Sequence, residues 1–102
     1  MWLSVLMTDE GITRAAELFK ALSSSSRLRI LTLLSEAPAT VTQIVAATGQ
    51  SQPLVSQHLK TLRLANMVTV DKVGREATYA VADSHVTHVV EDAISHVLED
   101  SS

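Results

Sequence analysis

Cysteine is absent from the chain, which excludes disulfides and every metal site built on thiolate while leaving the redox compartment open. Aromatic residues make up only 3% against 46% apolar residues, so the interior has to be assembled from Ala, Leu and Val, the composition of a compact helical chain. No stretch approaches the roughly 18 apolar residues of a membrane span, and no membrane partner is expected. The opening Met1-Trp-Leu-Ser-Val-Leu-Met7 is apolar, but it lacks a basic leader, is too short for a signal core and gives way at once to Thr8-Asp9-Glu10, so a cytoplasmic protein is expected. Residues 1–8 read as a flexible or interface-packing extension, with Met7 a second candidate start.

What is present is unevenly spread. The 102 residues suit one domain with a modest core, which a two-fold interface would enlarge. The net charge of −3 hides a polarity. Residues 27–75 hold Arg27, Arg29, Lys60, Arg63, Lys72 and Arg75 against Glu36 and Asp71, a net +4, whereas residues 76–102 hold six acids and neither Lys nor Arg. A basic middle fits contact with a polyanion, and an acidic tail fits a cation.

The tail from Asp83 to Glu99 organises the rest. Val86, Val89, Val90, Ala93 and Val97 recur at helical spacing, beside a stripe of histidine and acid. On helical geometry His85 and His96 fall within about 20° of one meridian but roughly 16 Å apart along the axis. One ion cannot reach both within a single helix. A second copy running antiparallel removes the difficulty, because residues facing each other across a two-fold axis have nearly constant number sums, here 182 for Asp83 with Glu99 and 181 for His85 with His96. Two imidazoles and two carboxylates form a four-ligand nitrogen and oxygen set suited to tetrahedral Zn2+, with Co2+ as a close substitute. Taken singly, Asp83 is a helix N-cap, His85 a surface histidine and Glu99 a solvated acid. Their joint spacing makes the set. His88 and Asp92 lie on the same stripe as spare ligands or solvated residues.

In chain order, Thr8 or Asp9 can cap a first helix reaching about Leu22, with Ile12, Ala15, Ala16, Leu18, Phe19 and Leu22 on its apolar face. Ser24 can cap a second helix, Arg27 to about Glu36, apolar over most of its circumference and therefore central. Ala37-Pro38-Ala39 ends it, and Thr40-Val-Thr-Gln43 has capping-box spacing for a short helix that Gly49 stops. Ser51-Gln-Pro53 then opens another helix, with proline tolerated in its first turn. Short helix, tight turn and longer helix over residues 41–65 is the helix-turn-helix pattern.

That longer helix carries Val55, Leu59 and Leu62 on one edge. Gln52, Ser56, Lys60 and Arg63 group about a quarter-turn away, flanked by Gln57, and no acid occurs from Gly49 through Val70. Amides and hydroxyls can exchange hydrogen bonds with base edges, and the cations can meet phosphates, although a solvated face would look similar. His58 falls on the opposite flank, at the core edge. Residues 67–81 cluster β-branched residues around Gly74-Arg75, a two-stranded hairpin whose tip, Arg75, can reach DNA backbone or minor groove.

In this order the segments resemble the ArsR/SmtB family of dimeric winged-helix metal-sensing repressors. The resemblance runs from Ile12 to Glu99 and rests on Ala21-Leu-Ser with Arg27-Leu-Arg-Ile-Leu31, Ser51 to Arg63, Gly74-Arg75 with Tyr79, and the Asp-x-His and His-x-x-Glu pairs of the tail. It implies a mainly α winged helix-turn-helix with a two-stranded wing, a homodimer formed through the N- and C-terminal helices, and dissociation from operator DNA on zinc binding. It implies metal ligation by Asp83, His85, His96 and Glu99, DNA contacts at Ser51, Gln52, Ser56, Gln57 and Arg75, and coupling from His96 to a main-chain carbonyl near Asn66. The operator would be an imperfect inverted repeat. Ser24-Ser25-Ser26 replaces the Asp-Pro-Thr of many members, and the thiolate motif and His-rich N-terminal arm of others are missing, which weighs against soft metals and nickel.

Two other readings stand beside this one. A winged-helix repressor answering a non-metal signal would keep its operator affinity at saturating zinc. A dimeric metal-buffering protein would bind promoter and random DNA equally weakly. An enzyme is not expected, because four protein ligands leave no open metal position for water.

Overall fold

The computed structural model describes residues 8–99, and the apolar extension Met1–Met7 lies outside them. Thr8, the last residue of the extension as read from the sequence and one of its two candidate caps, caps the first helix α1 (Asp9–Leu22), its hydroxyl accepting from the Gly11 N–H at 3.1 Å. Ser24 caps α2 (Ser25–Glu36) in the same way, accepting from Arg27 N–H at 3.2 Å. Each cap satisfies one of the N–H groups that the first turn of a helix leaves without an intrahelical partner.

Helix α2 is the hub. Ile30, Leu31 and Leu34 are buried and Leu28 and Leu33 are half-buried, as an apolar circumference requires. It packs against α1, α3 (Val41–Thr48), α4 (Gln52–Leu64), the strand β3 (Glu76–Val81) and the last helix α5 (Ser84–Glu99). The Thr87 hydroxyl donates to Ser35 Oγ at 3.1 Å, tying α5 to α2.

The wing has three strands where the sequence suggested two. β1 (Ala39–Thr40) joins β3, which pairs with β2 (Val68–Val73), all antiparallel in the order β1-β3-β2. The residue before Pro38, Ala37, is extended, as a following proline favours. Thr40 is extended as well, because an N-cap takes β-region angles, so one residue both pairs with Thr78 and caps α3. The capping box is complete: Gln43 N–H donates to Thr40 Oγ1 at 3.2 Å, and Thr40 N–H donates to Gln43 Oε1 at 2.9 Å. Gly49 ends α3 at φ +72°, a backbone region that glycine enters without a Cβ penalty. Gly74, at φ +65°, opens the two-residue turn of the wing.

Helix α4 stops in a Schellman arrangement. Asn66 takes φ +61°, its N–H donates to the Arg63 carbonyl at 3.0 Å, and the Met67 N–H donates to the Leu62 carbonyl at 2.9 Å. Asparagine is one of the few residues other than glycine that enter this region readily. Among the described residues, no helix is long and apolar enough to cross a membrane.

Candidate functional site

Two surfaces carry chemistry, one on α4 with the wing and one on α5. Val55, Leu59 and Leu62 anchor α4 in the core, which turns its opposite side outward. Gln52, Gln57, Lys60 and Arg63 are exposed and Ser56 is half-buried. Gln52 Nε2 donates to Ser56 Oγ at 3.1 Å, so the amide and hydroxyl are already aligned as one polar pair. Ser51 caps α4, accepting from Leu54 N–H at 3.4 Å, which occupies its hydroxyl locally. Ser56, Lys60, Arg63, Asn66 and Tyr79 border one groove between α4 and the wing. Arg75 is not part of it. It stands at the exposed turn beside a second groove shared with Thr42 and Gln43 at the start of α3.

Two residues of the basic middle have interior tasks. Arg27 Nε donates to the Ala21 carbonyl at 2.6 Å and Nη2 to the Lys20 carbonyl at 3.4 Å, closing the end of α1. His58 is half-buried, and burial first, then the nearby Arg27 cation, holds its pKa below the ordinary histidine value. Both effects favour the neutral ring, as suits a residue at the edge of the core.

On α5 the Asp83 carboxylate does two things. Its Oδ1 accepts from His85 N–H at 2.9 Å and from Val86 N–H at 3.3 Å, capping the helix, and lies 3.4 Å from His85 Nδ1. Both side chains are open to solvent. His96 and Glu99 belong to the far end of the same helix and are exposed. Among the described residues of one chain, no group of three His, Cys, Asp or Glu side chains could hold a metal ion. Asp83 and His85 stand together at the start of α5, and the other two residues expected as donors, His96 and Glu99, stand near its end. His88 and Asp92 are exposed between them.

A cleft of about 330 Å³ separates α1 from the joint between α4 and α5, with Leu18, Leu64, Asn66, Met67, Asp83 and His85 on its walls. Asn66, the residue expected near the coupling carbonyl, thus borders the same cleft as Asp83 and His85. His96 of the same chain does not border it. The sequence did not single out Leu64, which is 75% exposed at the end of α4 although apolar. Its position one turn beyond the Lys60 face was the only available signal.

Helix, tight turn and longer helix, followed at once by a β-hairpin that pairs back to a strand before the first of them, define a winged helix-turn-helix protein. The family described as bacterial regulatory protein, arsR family, matches residues 24–70. The HTH-type transcriptional repressor SmtB of Mycobacterium tuberculosis is 44% identical over 92 residues, covering 90% of this chain and 68% of that protein. The transcriptional regulator NmtR of the same species is 36% identical, covering 91% and 78%. The homodimeric winged helix-turn-helix DNA-binding domain Mb0332 of Mycobacterium bovis, described as a possible ArsR-family regulator, superposes with a TM-score of 0.77 at 28% identity, covering 92% and 88%. This chain belongs to the arsR family of bacterial regulatory proteins. It is a transcriptional regulator and not an enzyme.

Proposed function

We infer that the protein is a repressor that binds operator DNA as a homodimer and is released when Zn2+, or Co2+ in its place, binds between the paired C-terminal helices. The observation that carries this reading is the division of donors. Asp83 and His85 meet at one end of α5, His96 and Glu99 belong to the other, and neither end is sufficient. Two α5 helices lying head to tail would complete the set twice, once at each end of the pair. Two imidazoles and two carboxylates suit a tetrahedral nitrogen and oxygen site. When bound, the cation supplies a cross-link between two helices.

The remaining work belongs to the chain. Gln52, Ser56 and Gln57 present amides and a hydroxyl to base edges, Lys60, Arg63 and Arg75 meet phosphates, and Ser51 fixes the start of α4. Two α4 helices about 34–36 Å apart would read successive major grooves of an imperfect inverted repeat. Fixing the α5 pair in one relative arrangement mis-sets that spacing. Operator binding must then weaken metal affinity by the same factor. One route for the coupling is a hydrogen bond from the metal-free ring nitrogen of His96 to a main-chain carbonyl near Asn66, as metal-bound histidines commonly make. In a dimer the His96 that approaches Asn66 would come from the second copy.

A non-metal signal is the second reading, favoured by the cleft beside Asp83 and His85, which is large enough for a small molecule. A mobility shift on the protein's own upstream DNA, with and without zinc and repeated for His85→Ala, separates the two. Zinc should release the wild type and leave His85→Ala bound, whereas wild-type protein that stays on its operator at saturating zinc favours the second reading. His96→Asn tests the route: release unchanged in that variant removes it.

A further inference from the structure

The base of the wing joins the two functional helices of one protomer. Val68 pairs with Val81 at the last rung of the hairpin ladder, and one step below, the Ala82 N–H donates to the Met67 carbonyl at 2.9 Å. Met67 is the residue whose own N–H closes α4 on the Leu62 carbonyl. Ala82 immediately precedes Asp83, whose Oδ1 holds the first turn of α5 through His85 N–H and Val86 N–H. Three consecutive links therefore run from a candidate metal donor to the end of the DNA-facing helix: the peptide bond from Asp83 to Ala82, the Ala82–Met67 hydrogen bond and the Met67–Leu62 hydrogen bond. Met67 is 1% exposed and Val68 3%, so the two bonds made by Met67 lie in a packed environment where a shift is passed on, while the Asp83 cap stands open to solvent and to a cation.

We propose that Asp83 is a positioning residue as well as a ligand, and that the Ala82–Met67 hydrogen bond carries the state of the cation site to α4 within one protomer. The proposal rests on the reading of α5 as a metal site. A carboxylate recruited by a cation while it caps the helix has its orientation fixed twice, and the turn it caps is held with it. Residue 82 must follow, since it is bonded to Asp83 through the chain and to Met67 through its N–H. The end of α4 is the part least able to ignore this, because Asn66 holds a left-handed backbone there. This path is separate from the His96 route: it starts from the opposite half-set and crosses no subunit boundary.

Ala82→Pro removes the N–H and leaves every metal donor in place, and the extended residue proline imposes at position 81 matches the end of β3. The homodimeric variant should bind zinc as the wild type does in calorimetric titration without DNA, and should bind operator when metal-free. The zinc-induced loss of operator affinity should shrink by about tenfold, within the usual range of coupling between sites. Intact zinc binding with undiminished release would overturn the proposal. Should the proline variant not fold, amide exchange of the wild-type dimer decides. Zinc should change the exchange rates of the Ala82 and Met67 N–H groups by about tenfold or more, and rates that do not move with zinc bound would overturn it. A wild type that binds no zinc at all in the titration overturns this path together with the reading beneath it.

Discussion

Helices α4 and α5 are both amphipathic and both carry residues of the proposed function, yet they differ in how much of the apolar edge one chain covers. Helix α4 buries Val55, Leu59 and Leu62 almost completely, so its polar side is displayed on a fixed support. Helix α5 buries Val86 and Val90 in its first half and then leaves Val97 and Leu98 about 60% exposed in its second. Exposed apolar residues also run along α1, at Ile12 and Phe19. The residues expected as metal donors are divided in the same way, Asp83 and His85 at the start of α5 and His96 and Glu99 near its end. Under the proposed function, the module that faces DNA is complete in one chain and the module that receives the signal is completed by a second.

The sharpest way to break this contrast is in the core beneath α4. Leu59→Ala should lower unfolding free energy by about 2–5 kcal/mol in urea denaturation, because it removes a buried side chain and leaves a cavity. Val97→Asp should behave in the opposite manner, with little loss of helix by circular dichroism but a dimer dissociation constant raised about tenfold or more in sedimentation. A Val97→Asp protein that dimerises normally would remove α5 from the interface. Arg75→Ala should weaken binding to operator and to unrelated DNA alike, and should reduce the salt dependence by about one unit of slope, as loss of one phosphate contact does.

The smallest effect concerns His58. Its pKa is lowered in the folded chain, so the unfolded chain takes up the proton first as pH falls. Stability is then fully present above the ordinary histidine value of about 6.5 and declines as pH drops from there through the folded value. In metal-free protein, His58→Gln should flatten that part of the stability profile, and an unchanged profile would place the pH dependence elsewhere.

Features encoded within a few residues were legible in the sequence. Thr8 as one of two candidate caps and Ser24 each depend on one side chain and a backbone N–H three positions on, the Thr40–Gln43 box on two side chains at that spacing, and the turn at Gly49 on a single residue. The helix that carries Asp83, His85, His96 and Glu99 follows from the spacing of its valines for the same reason. β1 was not legible: two residues have no periodicity, and their partners Tyr79 and Thr78 lie far along the chain. Arg27 looked like part of a basic surface, because nothing in the local sequence says that its guanidinium turns back onto the carbonyls of α1. The Ala82–Met67 bond was invisible in principle, since it uses backbone groups that nearly every residue has. Whether two half-sets meet is a property of a pair of chains, and spacing in one can only prepare for it.

Thr40 occupies two structures at once, as the last residue of β1 and the N-cap of α3. Lengthening or shortening the chain between Pro38 and Thr40 must therefore either slip β1 against β3 or uncap the first helix of the pair. Wing and helix pair are stitched into one reading head that can tilt as a body against its twin but cannot flex at this seam. An effector that loosens the protein's hold on DNA therefore finds no hinge between β1 and α3, and has to work through another joint of the head or through the way two heads are paired.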